Sequence, residues 1–127
     1  MFHKPGFSRF CLFLSILYLS LILSAPSVAK ISFDRDVLPI LSDNCFKCHG
    51  PDRRTRQANL RLDLKEGVLR TENPVIQPRD IENSQLIVRI TAEDPMRVMP
   101  PPSSKLELAS EQIATLKQWV TEGARWD

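Results

Sequence analysis

Apolar positions are distributed in two different ways along this chain. From Phe10 to Leu23 they form a run broken only by Ser15 and Ser20. Beyond residue 30 they recur at helical spacing. Phe33, Val37, Leu38 and Leu41 fall at i, i+4, i+5 and i+8, an amphipathic stripe that leads into Cys45. Ser32 or Asp34 is its expected cap, with Asp34 and Asp36 in the first turn. Pro39 inside the stripe removes a hydrogen bond, so this helix is expected to be short or kinked. Residues 50–59 are polar and read as a loop. Residues 63–70 predict a short helix weakened by Gly67. Residues 73–80 predict a proline-bearing loop. A short helix from Asn83 or Ser84 to Ile90 should bury Leu86, Ile87 and Ile90. Residues 91–108 form a long proline-rich loop with two methionines. Ser110 is then the expected cap of a last helix, with Glu111 in its first turn. Ile113, Leu116, Trp119 and Val120 share one face of it, and Gly123 ends it.

The first apolar run has its own grammar. Lys4 and Arg9 precede it, and Ser27-Val28-Ala29 follows it with small residues one apart. A basic start, an apolar middle and a small-x-small end predict a signal peptide over residues 1–29. The run is short for a membrane span, and Pro26 marks its end. An uncleaved N-terminal anchor over residues 10–29 is the alternative. Cys11 lies inside the apolar stretch and reads as filler lost with the peptide. An exported, extracytoplasmic protein spanning residues 30–127 is therefore expected, membrane-bound only if the leader stays.

Composition narrows the class. A chain of 127 residues allows one domain. The net charge of +2 comes from Lys4 and Arg9; without them basic and acidic residues balance. Such a chain lacks the basic stripe of a nucleic-acid binder. With 43% hydrophobic and 25% charged residues it is not a disordered polymer. A domain this small buries a modest share of its surface and gains from a staple or a large bound cofactor.

The chemistry concentrates in Cys45-Phe46-Lys47-Cys48-His49. This is the C-x-x-C-H pattern of covalent c-type haem attachment. Two thiols three positions apart reach the two vinyl groups on one porphyrin edge, and the next residue carries its imidazole under the ring. A zinc site needs two more Cys or His ligands, and residues 50–127 contain none. A thioredoxin-like pair needs a strand-helix-strand frame, whereas these flanks read as helix and loop. A disulfide between the two cysteines would close a tiny loop and stabilise little. One covalently attached haem c is the expected cofactor, with His49 as an iron ligand.

The sixth ligand must come from elsewhere, and no further histidine remains. Met96 and Met99 are the candidates, in Asp94-Pro95-Met96-Arg97-Val98-Met99-Pro100-Pro101-Pro102. Met99 directly precedes the proline run, which holds a thioether with little freedom to lose. It is the preferred ligand, and His/Met ligation raises the reduction potential. Arg56 or Arg61 has two readings, a propionate partner or part of a solvated loop, and so has Trp119, a haem-edge aromatic or a core residue.

The chain resembles the planctomycete-type cytochrome c domain, a branch of the class I cytochrome c fold. The matching residues are 33–41, Cys45 to Asp52, 56–63, Ser84 to Ile90, Met99-Pro100-Pro101 and 119–126. The resemblance implies an all-α fold wrapped around one haem, with its N- and C-terminal helices packed together. It also implies Cys45 and Cys48 as thioether points, His49 as proximal ligand and Met99 as distal ligand. Asn59 stands where the family usually has Gly, and Pro78-Arg79 where it has Pro-Gly. The family domain usually opens a much longer protein, whereas this chain ends at Asp127. It is thus a stand-alone carrier or the N-terminal haem module of a larger protein.

Three functions compete on these residues. The first is a monohaem electron carrier, not an enzyme, with no substrate at the iron and a redox protein as partner. The second is a haem protein with an open or displaceable sixth position, peroxidase-like or gas-sensing. The third is a docking module. Met99 beside rigid prolines, and the lack of a distal acid–base residue, favour the first.

Overall fold

The computed structural model describes residues 29–127. The expected leader, with Cys11, lies almost wholly outside them. Among the described residues there are five α-helices, one π-helical turn, one 3-10 turn and a single isolated bridge between Gln77 and Asp80. No described helix is long and apolar enough to cross a membrane.

The first stripe does form a helical element, but not one regular helix. A π-helical turn over Phe33–Val37 runs into α1, Leu38–Asn44. The Leu38 N–H reaches five residues back to the Phe33 carbonyl. This widened turn places Pro39 in the first turn of α1, where a missing N–H costs no ladder bond. Ser32 occupies the cap position, yet its side chain makes no capping bond. The Asp36 carboxylate instead accepts the Ser32 N–H at 2.9 Å while holding Arg35.

The C-terminal helix α5, Ser110–Thr121, uses the same device. Its cap residue is Ala109, not Ser110, and Ala has no side-chain acceptor. The Gln112 side chain reaches back to the Ala109 N–H at 2.9 Å. The helix thus starts one residue earlier than a Ser110 cap would give, directly after buried Leu108 and its cap Ala109. At the other end Gly123 has φ +106. Its N–H bonds the Val120 carbonyl, and the Ala124 N–H bonds that of Trp119, closing a Schellman cap.

These two ends of the domain pack on each other. Phe33 stacks on Trp126 at 3.9 Å between centroids and meets Trp119 at 5.6 Å. Trp119 is 1% exposed and donates its indole N–H to the Arg125 carbonyl, so it is a core residue. The Glu122 carboxylate accepts the Ile31 N–H, and that of Asp127 accepts the Phe33 N–H. Val37, Leu41, Leu116 and Val120 fill the seam.

Between the ends lie three further helices: α2, Phe46–His49; α3, Lys65–Val68; and α4, Gln85–Ile90. Helix α4 buries Leu86, Ile87 and Ile90 and packs on α5. Helix α3 is a single turn, shorter than its pattern predicts. Gly67 is required there rather than tolerated: a Cβ would stand 2.2 Å from the Arg61 carbonyl oxygen. Asn59 takes φ +51, and Arg79 takes φ +66 between Pro78 and Asp80. The Asp80 N–H closes this turn on Gln77. Arg79 thus adopts the left-handed angle that glycine fills most cheaply.

Ser84 starts α4 at the expected place but does other work. It is fully buried. Its hydroxyl oxygen accepts the Gln77 N–H at 2.8 Å, and its proton points between the Asp80 and Gln77 carbonyls. The residue therefore clamps the 77–84 loop. Ser84→Ala should cost about 1–3 kcal/mol, because the Gln77 N–H and a carbonyl lose their partner inside the protein. A urea titration should show a lower midpoint with an unchanged slope.

Candidate functional site

The Cys-x-x-Cys-His segment sits where α1 ends and α2 begins. The Cys45 N–H continues the α1 ladder to Leu41 at 2.8 Å. The Cys48 and His49 N–H groups then both turn back to the Cys45 carbonyl, at 3.1 and 2.8 Å. One helical turn thus carries the second thiol and the imidazole together. The chain that follows wraps the turn. The Gln57 N–H bonds the Cys48 carbonyl at 2.7 Å, and the Leu62 N–H bonds that of His49 at 2.8 Å.

Gly50 makes this return possible. A Cβ on it would lie 2.3 Å from the Phe46 carbonyl oxygen and 2.9 Å from the Phe46 Cβ. Gly50→Ala must therefore push α2 and the following loop apart. We expect a loss of about 2–3 kcal/mol from overpacking, read as a fall in Tm of the haem-loaded protein.

Both cysteines are free thiols. Burial, with a smaller push from Cys48, raises the Cys45 thiol to about 11. It is a neutral thiol at neutral pH, the opposite of the activated thiolate of a redox dithiol. Burial also lowers the His49 pKa, opposed in part by the Gln57 backbone. The imidazole is then neutral, the form that binds a metal. Its Nδ1 is buried with no hydrogen-bond partner of good geometry, so the ring is held by packing and backbone rather than by a polar anchor.

The methionine loop reaches the same place from the other side. The Asp94 carbonyl accepts the Arg97 and Val98 N–H groups, and its carboxylate accepts that of Met96. The Met99 N–H is tied to the Arg89 carbonyl at the end of α4, at 3.0 Å. The Met99–Pro100 peptide is cis. A 3-10 turn over Pro102–Ser104 follows. The result separates the two methionines: Met96 is 88% exposed, while Met99 faces inward.

Cys45, Cys48, His49 and Met99 all line one largely apolar cleft of about 210 Å³. The Met99-Pro100-Pro101 stretch lines it as well. A second cavity of about 420 Å³ adjoins it, sharing Met99, Pro100 and Leu106. The donor set and the cleft fit a covalently held haem: two thiols, an imidazole and a thioether line it together. No cluster of three or more His, Cys, Asp or Glu suited to a bare metal ion occurs among the described residues.

The arginines after the motif are placed differently from the propionate reading. Arg61 forms a two-pronged pair with Asp63, which holds that carboxyl below its usual range. Arg56 donates to the Gly50 and Pro51 carbonyls at 2.9 and 2.7 Å. Neither lines the cleft. Sequence patterning also missed Gly50 and Leu106: the one is legible only through its close approach, the other only through the loop's path.

Residues 45–103 match the family model described as Planctomycete cytochrome C. The match opens on the first cysteine of the motif and ends just past Met99. No curated protein and no solved structure matches the chain.

Proposed function

We propose, from the premise that residues 45–103 form a planctomycete-type cytochrome c domain, that this chain is a monohaem c-type electron carrier with His49 and Met99 as the iron ligands. The family makes it a haem c protein. The convergence of Cys45, Cys48, His49 and Met99 on one apolar cleft carries the finer reading. The sequence holds a single Cys-x-x-Cys-His motif, which supports one haem per chain.

When bound, the haem supplies a one-electron couple at its iron. Everything else falls to the chain. Cys45 and Cys48 fix one porphyrin edge to the α1–α2 junction. His49 presents Nε2 from a turn pinned by Gln57 and Leu62. Met99 offers a thioether from a backbone anchored on α4. Pro100, Pro101 and Leu106 add apolar surface to the cleft, which would shield a bound haem from water and favour the less charged ferrous state. His49 and Met99 would together hold the iron, leaving no position on it for a substrate. The partner is then a second redox protein, and the leader-like pattern of residues 1–29 supports an exchange outside the cytoplasm.

The chain should be exported in a host able to attach c-type haem and tested with carbon monoxide. Haem that stays with the denatured polypeptide, and a reduced protein indifferent to the gas, are expected. Rapid binding of carbon monoxide to the reduced form would instead indicate an open or displaceable sixth position, as in a sensor or peroxidase.

A further inference from the structure

A haem held through its vinyl edge at Cys45 and Cys48 carries two propionates on the opposite edge. The attachment cleft adjoins a 420 Å³ cavity that shares Met99, Pro100 and Leu106 with it and is lined by neither cysteine. The cavity's charged walls are Lys105 and Glu107. We propose that Lys105 is the propionate counter-ion of this protein and a positioning residue that raises its reduction potential. The inference rests on the haem reading given above.

Three observations carry it. Lys105 is the sole cationic residue lining that cavity; Lys47 lines only the cleft that holds the cysteines. Arg56 and Arg61, the two arginines read from sequence as propionate candidates, line neither and are committed to Gly50, Pro51 and Asp63. Glu107 repels a carboxylate, so a charge offset on this side falls to Lys105. Finally, the backbone at Lys105 is fixed as the left-handed cap that ends the Pro102–Ser104 turn. Its φ is +59, a left-handed angle that a side-chain-bearing residue adopts reluctantly. The loop enforces it: the Lys105 N–H bonds Pro102, and the Ser104 hydroxyl donates to Pro101 while accepting the Leu106 N–H.

The electrostatic consequence has a definite sign. An ammonium beside the propionates offsets their negative potential at the iron and disfavours the ferric form. Removing it favours the ferric form and lowers the potential. The side chain is exposed, so the effect is that of a partly solvated charge and weakens with salt.

The test is a spectroelectrochemical titration of the haem-loaded protein and its Lys105→Gln, Lys105→Asn, Lys105→Arg and Lys47→Gln variants, at low and high salt. Asn tolerates left-handed angles and covers any folding defect of the Gln variant. At fixed ambient potential the ferric-to-ferrous ratio should rise about two- to fivefold in Lys105→Gln and Lys105→Asn. Arg should restore it, Lys47→Gln should shift it less, and high salt should shrink the difference. An unchanged potential in the neutral variants overturns the assignment. So does a shift in Lys47→Gln that equals or exceeds theirs. Failure to obtain covalent haem in the unaltered protein would strike the haem reading itself, a separate outcome.

Discussion

His49→Ala yields, on this account, a chain that exports but does not accumulate as a low-spin haem protein. The imidazole is the one histidine side chain in the cleft, and residues 50–127 contain no other histidine. Its place is fixed by backbone, through the Cys45, Gln57 and Leu62 bonds around the turn. Removing the ring therefore leaves the turn and both thiols standing while deleting the iron ligand. Even outer-shell partners of metal ligands are worth about 10–100-fold in affinity, so loss of the ligand itself should cost at least that. The measurement is the yield of haem that co-migrates with the denatured chain, with the spin state of what remains. Cys45→Ser and Cys48→Ser should each lower yield yet keep a low-spin iron, because either leaves one thioether and an intact His49. A His49→Ala protein that retained full yield and a low-spin spectrum would place the proximal ligand elsewhere.

Met99→Ala has the second-largest effect and a different signature. The protein should still carry covalent haem, because Met99 takes no part in attachment. Its potential should fall on the order of 0.1 V, a modest part of the roughly 0.8 V that axial ligands span. The reduced form should now bind carbon monoxide. Met96→Ala should do neither, since that side chain is 88% exposed and belongs to the outer face of the Asp94 turn. The pair of variants separates ligation from loop stability, because both lie on the same loop. If Met96→Ala were the one that opened the iron, the loop would have to rearrange on haem binding, breaking the Met99–Arg89 bond.

The sequence made some of this plain and hid the rest for physical reasons. Helices α4 and α5 were legible because their apolar residues repeat at 3–4 positions and face one core. The motif at Cys45 was legible because its chemistry depends on local spacing, which a chain displays directly. The π-helical turn was not, although Pro39 signalled some irregularity: a proline can kink, shorten or be bypassed, and only the backbone shows which. Val75 and Ile76 are buried core residues in a stretch with no periodicity. They are held by their N–H bonds to the Val68 carbonyl, and non-local bonds of that sort leave no pattern in sequence. Gly67 read as a weak point and Gly50 as the start of a polar loop, yet each permits a close backbone approach that any side chain would block. Ser84 and Ser110 both looked like caps. Ser84 clamps a buried loop instead, and Ser110 sits one residue inside its helix. Arg61 was ambiguous between a ligand and a solvated charge until Asp63, two residues on, proved to hold it.

The most direct test of the central claim is the visible and near-infrared spectrum of the oxidised, exported protein. Covalent haem in a low-spin state, with the charge-transfer band of a methionine–Fe(III) bond that disappears in Met99→Ala and survives in Met96→Ala, is the predicted result. Covalent haem in a high-spin state without that band would contradict His49/Met99 ligation. It would point to a site built to bind a ligand rather than to pass an electron.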